Sequence, residues 1–171
     1  MNLGQHHRVT NEELRRIFAA LGFRDVKTFR ASGNVSFTAD REPLARLTAR
    51  IEGALEESLG YPVPTFLRDA GEMRAVAATE PFEPGLVERS AGKLQVSILE
   101  TRPSAAVRKR VLALAGDEDR LAFGARELYW LPSGGILETA LDLVTIERAL
   151  GPTTRRTKGT IDQMAAKHFA G

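Results

Sequence analysis

Cysteine is absent from the sequence, which excludes disulfide bonds, thiolate metal ligands and cysteine nucleophiles. This absence is typical of a protein that works in a reducing compartment. No apolar run approaches the roughly 20 residues that a membrane-spanning helix needs, and residues 1–7 contain no apolar signal core. The sequence therefore predicts a cytoplasmic protein without a membrane partner.

Aromatic residues are also few, at 6% of the chain, whereas the apolar fraction of 43% and the charged fraction of 27% are ordinary for a globular protein. A chain of 171 residues can bury roughly 70% of the surface of its unfolded state, so it can fold around its own core. The length suits one domain or two small lobes.

The net charge is small, +2, but it is unevenly distributed. Residues 151–171 carry four basic side chains against one acidic side chain, so this segment has a charge of +3 and the rest of the chain −1. Its central members are Arg155, Arg156 and Lys158, which we call the basic tail. Such a segment can attract phosphates. A simple solvated surface is the favoured alternative.

Hydrophobic periodicity and turn residues divide the chain into helices and strands. Leu14, Ile17 and Phe18 recur at helical spacing, and Thr10 with Glu13 forms the capping-box pattern that begins a helix. The same reasoning predicts helices over residues 10–21, 43–59, 69–78, 103–115, 138–150 and 160–169. It predicts strands over residues 26–30, 35–38, 63–67, 94–99, 120–123, 127–131 and 153–157, with a connector at 81–85.

The order of these elements repeats, and this predicts the fold. Both halves contain helix, strand, strand, helix and strand, and the second half has one additional strand at its front. The sequence thus predicts an α+β protein of two ferredoxin-like β-α-β-β-α-β lobes in tandem, residues 1–85 and 86–171, which together could also form one intertwined domain. The first strand of lobe one is missing. If it is truly absent, its neighbours expose backbone groups that favour a homo-oligomer.

Several segments resemble one protein family. Residues 30–37 read RASGNVSF, preceded by EELRR at 12–16 and LGFRDVKTF at 21–29, and followed by GYPVP at 60–64 and ELYW at 127–130. This pattern is similar to the family called domain of unknown function 1697. The resemblance spans most of the chain and implies a two-lobed ferredoxin-like α+β fold. It implies little about activity.

The sequence departs from the family pattern in three places. Family members usually begin with an apolar strand, and Met1 stands just after its expected end, so either the natural start lies upstream or the strand is lost. An aromatic that the family often has within residues 156–160 is absent. Ala140 stands where many members have lysine, which excludes a lysine-based role there.

The candidate site of the first lobe is predicted from topology. In a β-α-β-β-α-β unit, the loop after the first strand and the turn after the second lie at one edge of the sheet. The first helix begins there, at Thr10, with unpaired N–H groups and the positive end of its dipole. These features predict an anion site, for which a plain hairpin turn is the favoured alternative. Its residues are Asn2, Gly4, His6, His7, Arg8, Arg30, Ser32, Gly33 and Asn34.

Other chemistries have weaker signals. His6 and His7 are adjacent and lack the carboxylate spacing of a metal site, and Ser32 lacks a nucleophile elbow. No dinucleotide or P-loop motif is present, so no cofactor is expected. Of Tyr129 and Trp130, one should face the core and the other outward. Core packing is favoured over base stacking.

Three functions remain open from the sequence. The first is a non-catalytic binding or regulatory module for an anionic, phosphate-bearing small molecule. The second is a nucleic-acid-binding module that uses a sheet face and the basic tail. The third is an enzyme that acts through His6 or His7. The sequence favours the first and does not decide whether the protein is an enzyme, although it inclines against it.

Overall fold

The structure, a computed structural model, describes residues 9–30, 33–116, 119–132 and 139–169. The chain forms two compact units, the first ending at Leu67 and the second beginning at Arg68. Helices and strands are mixed, as in an α+β protein. The lobes 1–85 and 86–171 differ from these units in their boundary and stay a prediction. Within the described ranges, no helix combines the length and the apolar character that a bilayer crossing requires.

The described elements follow the predicted order closely. The helices are α1 (Asn11–Ala20), α2 (Leu44–Leu59), α3 (Ala70–Ala78), α4 (Pro84–Arg89), α5 (Ala105–Leu112), α6 (Leu143–Leu150) and α7 (Lys158–His168). The strands are β1 (Arg24–Phe29), β2 (Asn34–Thr38), β3 (Gln95–Leu99), β4 (Arg120–Phe123), β5 (Glu127–Leu131) and β6 (Thr153–Thr157). Helix α4 was not predicted, because it has only six residues and the prolines around it were interpreted as a connector.

The first unit packs the hairpin of β1 and β2 against α1 and α2. Phe18 of α1 contacts Phe37 of β2, with their ring centroids 5.2 Å apart, and Phe23 stacks on Phe37 at 4.5 Å. Ile51 and Leu55 of α2 complete this core and are almost fully buried. A two-stranded hairpin is marginal by itself, so this packing is what stabilises it.

The strand predicted at residues 63–67 is wrong, because the structure assigns no strand to this segment. Pro62 and Pro64 have no N–H group to donate to a ladder. The N–H of Thr65 donates instead to the carboxylate of Glu52, at 2.8 Å. Val63 is nevertheless 2% exposed and belongs to the core of the first unit.

The second unit contains a four-stranded antiparallel sheet with the order β4-β5-β3-β6. Along the chain its elements from β3 to β6 run strand, helix, strand, strand, helix, strand. The two strands that are adjacent in the chain, β4 and β5, pair directly. The middle strand β3 lies between β5 and β6, which come much later in the sequence.

Both faces of this sheet are covered. On one face, Leu128 and Trp130 pack with Val111 of α5 and Ile146 of α6. Because side chains alternate along a strand, Tyr129 points to the opposite face. Its hydroxyl donates to a backbone carbonyl of α3, that of Val76, at 3.4 Å. All five residues of β5 are consequently buried.

Candidate functional site

The hairpin turn of the first unit lies at the N-terminal end of α1. A short turn joins α1 to β1, so the strand runs back along the helix. The guanidinium of Arg15 in α1 donates to the hydroxyl of Thr28 in β1 at 2.8 Å. Phe29 and Asn34 form the last pair of the β1–β2 ladder before the turn. The described ends of the turn, Arg30 and Gly33, are therefore at the same end of the unit as the beginning of α1.

Two residues of this turn have left-handed backbone. Gly33 has φ +71°, which glycine adopts without cost, whereas Arg30 has φ +56°, which costs a non-glycine residue about 1–2 kcal/mol. The guanidinium of Arg30 lies 5.6 Å from the ring centroid of Phe29. We call Arg30, Gly33, Asn34 and the beginning of α1 at Thr10 the hairpin end.

The beginning of α1 already carries negative charge. Thr10 accepts a hydrogen bond from the N–H of Glu13, and the carboxylate of Glu13 accepts one from the N–H of Thr10, so the predicted capping box is present. These bonds from the backbone and hydroxyl of Thr10 lower the pKa of Glu13. Glu12 adds a second acid in the first turn. An anion at this end would therefore depend chiefly on Arg30 and the turn, and less on the helix dipole.

Six of the predicted site residues lie outside the described residues: Asn2, Gly4, His6, His7, Arg8 and Ser32. Their proposed roles stay predictions. Within the ranges that the structure describes, no group of three or more His, Asp or Glu side chains is arranged to hold a metal ion.

The basic tail does not converge on one site. Arg155 and Arg156 are consecutive in β6 and point to opposite faces of the strand. Arg155 lies over the ring of Trp130 at 5.3 Å and pairs with Glu147 at 3.2 Å. Lys158 pairs with Asp162 and also donates to a backbone carbonyl near the end of α3. Arg155 and Lys158 are thus already paired with carboxylates.

The expectation that one of Tyr129 and Trp130 faces outward is wrong, while core packing is confirmed. Tyr129 is 1% exposed and Trp130 is 2% exposed. The alternation is present, but each face of the sheet is covered, so both rings enter a core. Neither ring can stack on a nucleic-acid base.

The second unit contains a buried ion pair, extended into a network, that no sequence pattern predicted. Arg68 donates from Nε to the carboxylate of Glu127 at 3.1 Å and from Nη2 to the carbonyls of Leu99 and Arg126. The side chains of Arg68 and Glu127 are 3% and 7% exposed. Arg126 extends the network to Glu72 of α3, at 2.5 Å. We call these four charged residues the Arg68 network.

Alkaline pH should weaken the second unit through Tyr129. Burial raises the pKa of Tyr129 above its ordinary value of about 10, because the phenolate would lose its hydration. The stabilisation is therefore complete below about pH 10 and is lost as the pH rises through the raised pKa of the folded state. Urea unfolding followed by the fluorescence of Trp130 should show this loss in the wild type. Tyr129→Phe should reduce the alkaline loss of stability, and an equal alkaline loss in that variant would contradict the assignment.

Comparison with known proteins agrees with the fold and gives no activity. The chain is similar in structure to a conserved bacterial protein from Streptococcus pneumoniae, with a TM-score of 0.77 and 19% sequence identity over 98% of this chain and 92% of that one. No curated protein matches the sequence. The family model described as protein of unknown function (DUF1697) matches residues 1–129. Because this match covers well over half of the 171 residues of the chain, the chain belongs to the family DUF1697.

Proposed function

We propose that the protein is a non-catalytic binding or regulatory module that holds an anionic, phosphate-bearing small molecule at the hairpin end. The observation that carries this proposal is the left-handed backbone of Arg30. Strained backbone in a non-glycine residue persists where the surrounding structure or a function requires that residue. A glycine would form the same turn without strain but would lack the guanidinium, which is the feature of this position that suits an anion.

The chemistry of the hairpin end suits a phosphate. A guanidinium presents several donors in a planar fork that matches phosphate oxygens, and Arg30 is exposed to solvent. Gly33 has no side chain to prevent a ligand from approaching the turn backbone. Asn34 adds an amide that can donate to an oxygen. Because Glu12 and Glu13 place negative charge in the first turn of α1, a bound anion would contact the hairpin turn and not the N-terminus of the helix.

Arg30→Gly should separate function from stability in opposite directions. We expect the first unit to gain about 1 kcal/mol in unfolding free energy, because glycine removes the left-handed strain. We expect affinity for pyrophosphate to fall at least tenfold, since a charge-assisted hydrogen bond contributes about 1.5–3 kcal/mol. Calorimetric titration with pyrophosphate and thermal melting by circular dichroism measure the two effects.

Asp25→Gly is the matched control. Asp25 also has left-handed backbone, φ +52°, but lies at the other end of β1. Its replacement should raise the unfolding free energy by relieving comparable strain, although the loss of one exposed hydrogen bond from Thr38 offsets part of this gain. Pyrophosphate binding should be unchanged. Failure of the wild type to bind pyrophosphate, or full binding by Arg30→Gly, would reject the proposed function.

The two other functions have less support. Nucleic-acid recognition by the sheet face of the second unit would need an exposed aromatic ring, and the rings of β5 are buried. Catalysis by His6 or His7 rests on residues outside the described ranges.

We also propose that the second unit has a ferredoxin-like fold. The element order and the strand order β4-β5-β3-β6 of the second unit support a ferredoxin-like assignment. We propose that the first unit is an incomplete lobe of the same kind. Its helix, hairpin and helix occupy the corresponding positions in the chain.

A further inference from the structure

The outer surface of α5 is strongly basic. Arg102 precedes the helix, and Arg108, Lys109 and Arg110 follow one another within it. We call these four residues the α5 patch. Between residues 101 and 116 the sequence contains no acidic side chain. Asp117 and Glu118 follow this segment but lie outside the described residues.

The charges of the α5 patch are directed outward because the helix is anchored by its apolar side. Val111 is fully buried and Val107 packs against the same core. Lys109 lies about 160° around the helix from Val111, since consecutive residues are separated by about 100°. Arg102, Lys109 and Arg110 are exposed. Arg108 lies over the ring of Phe123 in β4, at 5.1 Å, and this contact fixes one edge of the patch.

The cations of the α5 patch have no carboxylate partners among the described residues. The ion pairs found there involve other arginines and lysines, such as Arg68, Arg126 and Lys158. The patch therefore differs from the basic tail, where Arg155 and Lys158 pair with carboxylates. Lys109 and Arg110 lie in the last turn of α5, where they complement the negative end of the helix dipole, and as exposed cations they can also attract an external anion.

We propose that the α5 patch contacts the phosphate backbone of a nucleic acid, independently of the anion site proposed for the first unit. Helix α5 has eight residues and is about 12 Å long. Arg108 and Arg110 lie about 160° apart around the axis, on either side of Lys109, so the four cations of the patch can contact at most four phosphates, distributed over the two strands of a duplex. Contacts of this kind give affinity without reading sequence.

The composition of the patch favours nucleic acid over other anionic surfaces. An interfacial helix binds a membrane by burying its apolar side in lipid, but Val107 and Val111 are committed to the core of the second unit. A protein interface is usually centred on aromatic or large apolar anchors. The patch offers Leu112, 40% exposed, and no exposed aromatic ring within α5.

Binding of random-sequence 30-base-pair duplexes of DNA and of RNA to the full chain tests the proposal by fluorescence anisotropy. With four phosphate contacts, the slope of log K against log salt should be about −3.6 for DNA, which is about a 150-fold loss between 50 and 200 mM. Lys109→Gln with Arg110→Gln should bring the slope to about −1.8 and weaken binding about 200-fold at 50 mM by the same relation. The fluorescence of Trp130 verifies that the variant is folded.

Arg89→Gln with Lys93→Gln is the control, because it removes two exposed positive charges of the same unit outside α5. It should leave the slope near the wild-type value. The proposal is overturned if neither duplex binds at 50 mM salt, if the α5 variant keeps the full slope, or if the control loses as much. Tighter binding to phosphatidylserine vesicles than to either duplex would also overturn it.

Discussion

Replacing Arg68 by methionine is expected to lower the unfolding free energy of the second unit by about 3–5 kcal/mol, the usual effect of removing one partner from a buried ion pair. Methionine keeps the apolar stem and removes the guanidinium. The carboxylate of Glu127, 7% exposed, would retain the N–H of Arg126 at 3.0 Å but lose its cation. The carbonyl of Leu99 would lose its donor from Arg68. The unfolding free energy of a domain is typically about 5–15 kcal/mol, so this substitution would remove a large part of it.

Urea unfolding monitored by Trp130 measures this effect, because the chain has one tryptophan and it is buried in the second unit. Glu147→Gln is the control, since its pair with Arg155 is half exposed and should contribute at most about 1 kcal/mol. The double variant Arg68→Met with Glu127→Gln should recover much of the loss, because it leaves no unpaired charge. A loss in Arg68→Met as small as that in Glu147→Gln would contradict the expectation.

Replacing Asp119 by alanine is expected to destabilise the second unit by about 2–4 kcal/mol. The buried carboxylate of Asp119 accepts from the indole N–H of Trp130 at 2.8 Å and from the hydroxyl of Thr139 at 2.8 Å. Alanine leaves both donors without this partner, and each unsatisfied buried group costs about 1–3 kcal/mol. The hydroxyl of Thr139 also accepts from the N–H of Leu141, so the loss would extend to the segment before α6.

A double-mutant cycle with Trp130→Phe isolates the hydrogen bond, with unfolding followed by circular dichroism. Asp119→Ala should cost at least 1 kcal/mol less in the Trp130→Phe background, where no indole N–H remains to be satisfied. Asp142→Ala is the control, because Asp142 caps α6 at an exposed position and its loss should cost about 1 kcal/mol. Equal costs of Asp119→Ala in the two backgrounds would mean that the bond to Trp130 contributes nothing.

Local signals were sufficient for most of the elements. The capping box of Thr10 and Glu13 predicted the first helix, and the structure contains both of its hydrogen bonds. The alternation of β5 predicted its strand but not its environment, because whether a second layer covers a sheet depends on distant helices. The strand predicted at 63–67 failed because a ladder needs a partner, and no local pattern supplies one.

The site was less predictable than the fold. The position of the turn beside the beginning of α1 followed from chain topology. The left-handed backbone of Arg30 did not, since Arg30 was predicted to end the strand over residues 26–30, and positive φ was expected of Gly33 and Asn34 instead. The Arg68 network was missed because Arg68 and Glu127 are 59 positions apart. A lone arginine and a lone glutamate give no sequence pattern, and their burial becomes visible only when β5 and the segment before α3 are packed together.

The burial of β5 on both faces has a consequence for the uniqueness of the fold. When one face of a strand is exposed to solvent, a register shift of one residue is unfavourable, because the shift would move the apolar side chains of the strand into water. In β5 such a shift would exchange Tyr129 and Trp130 between two apolar layers, so hydrophobicity alone would discriminate poorly between the two alignments. Polar atoms make the distinction: the indole of Trp130 reaches Asp119, the phenol of Tyr129 reaches α3, and Glu127 reaches Arg68. These hydrogen bonds therefore select one alignment of the strand from two that would bury similar amounts of apolar surface.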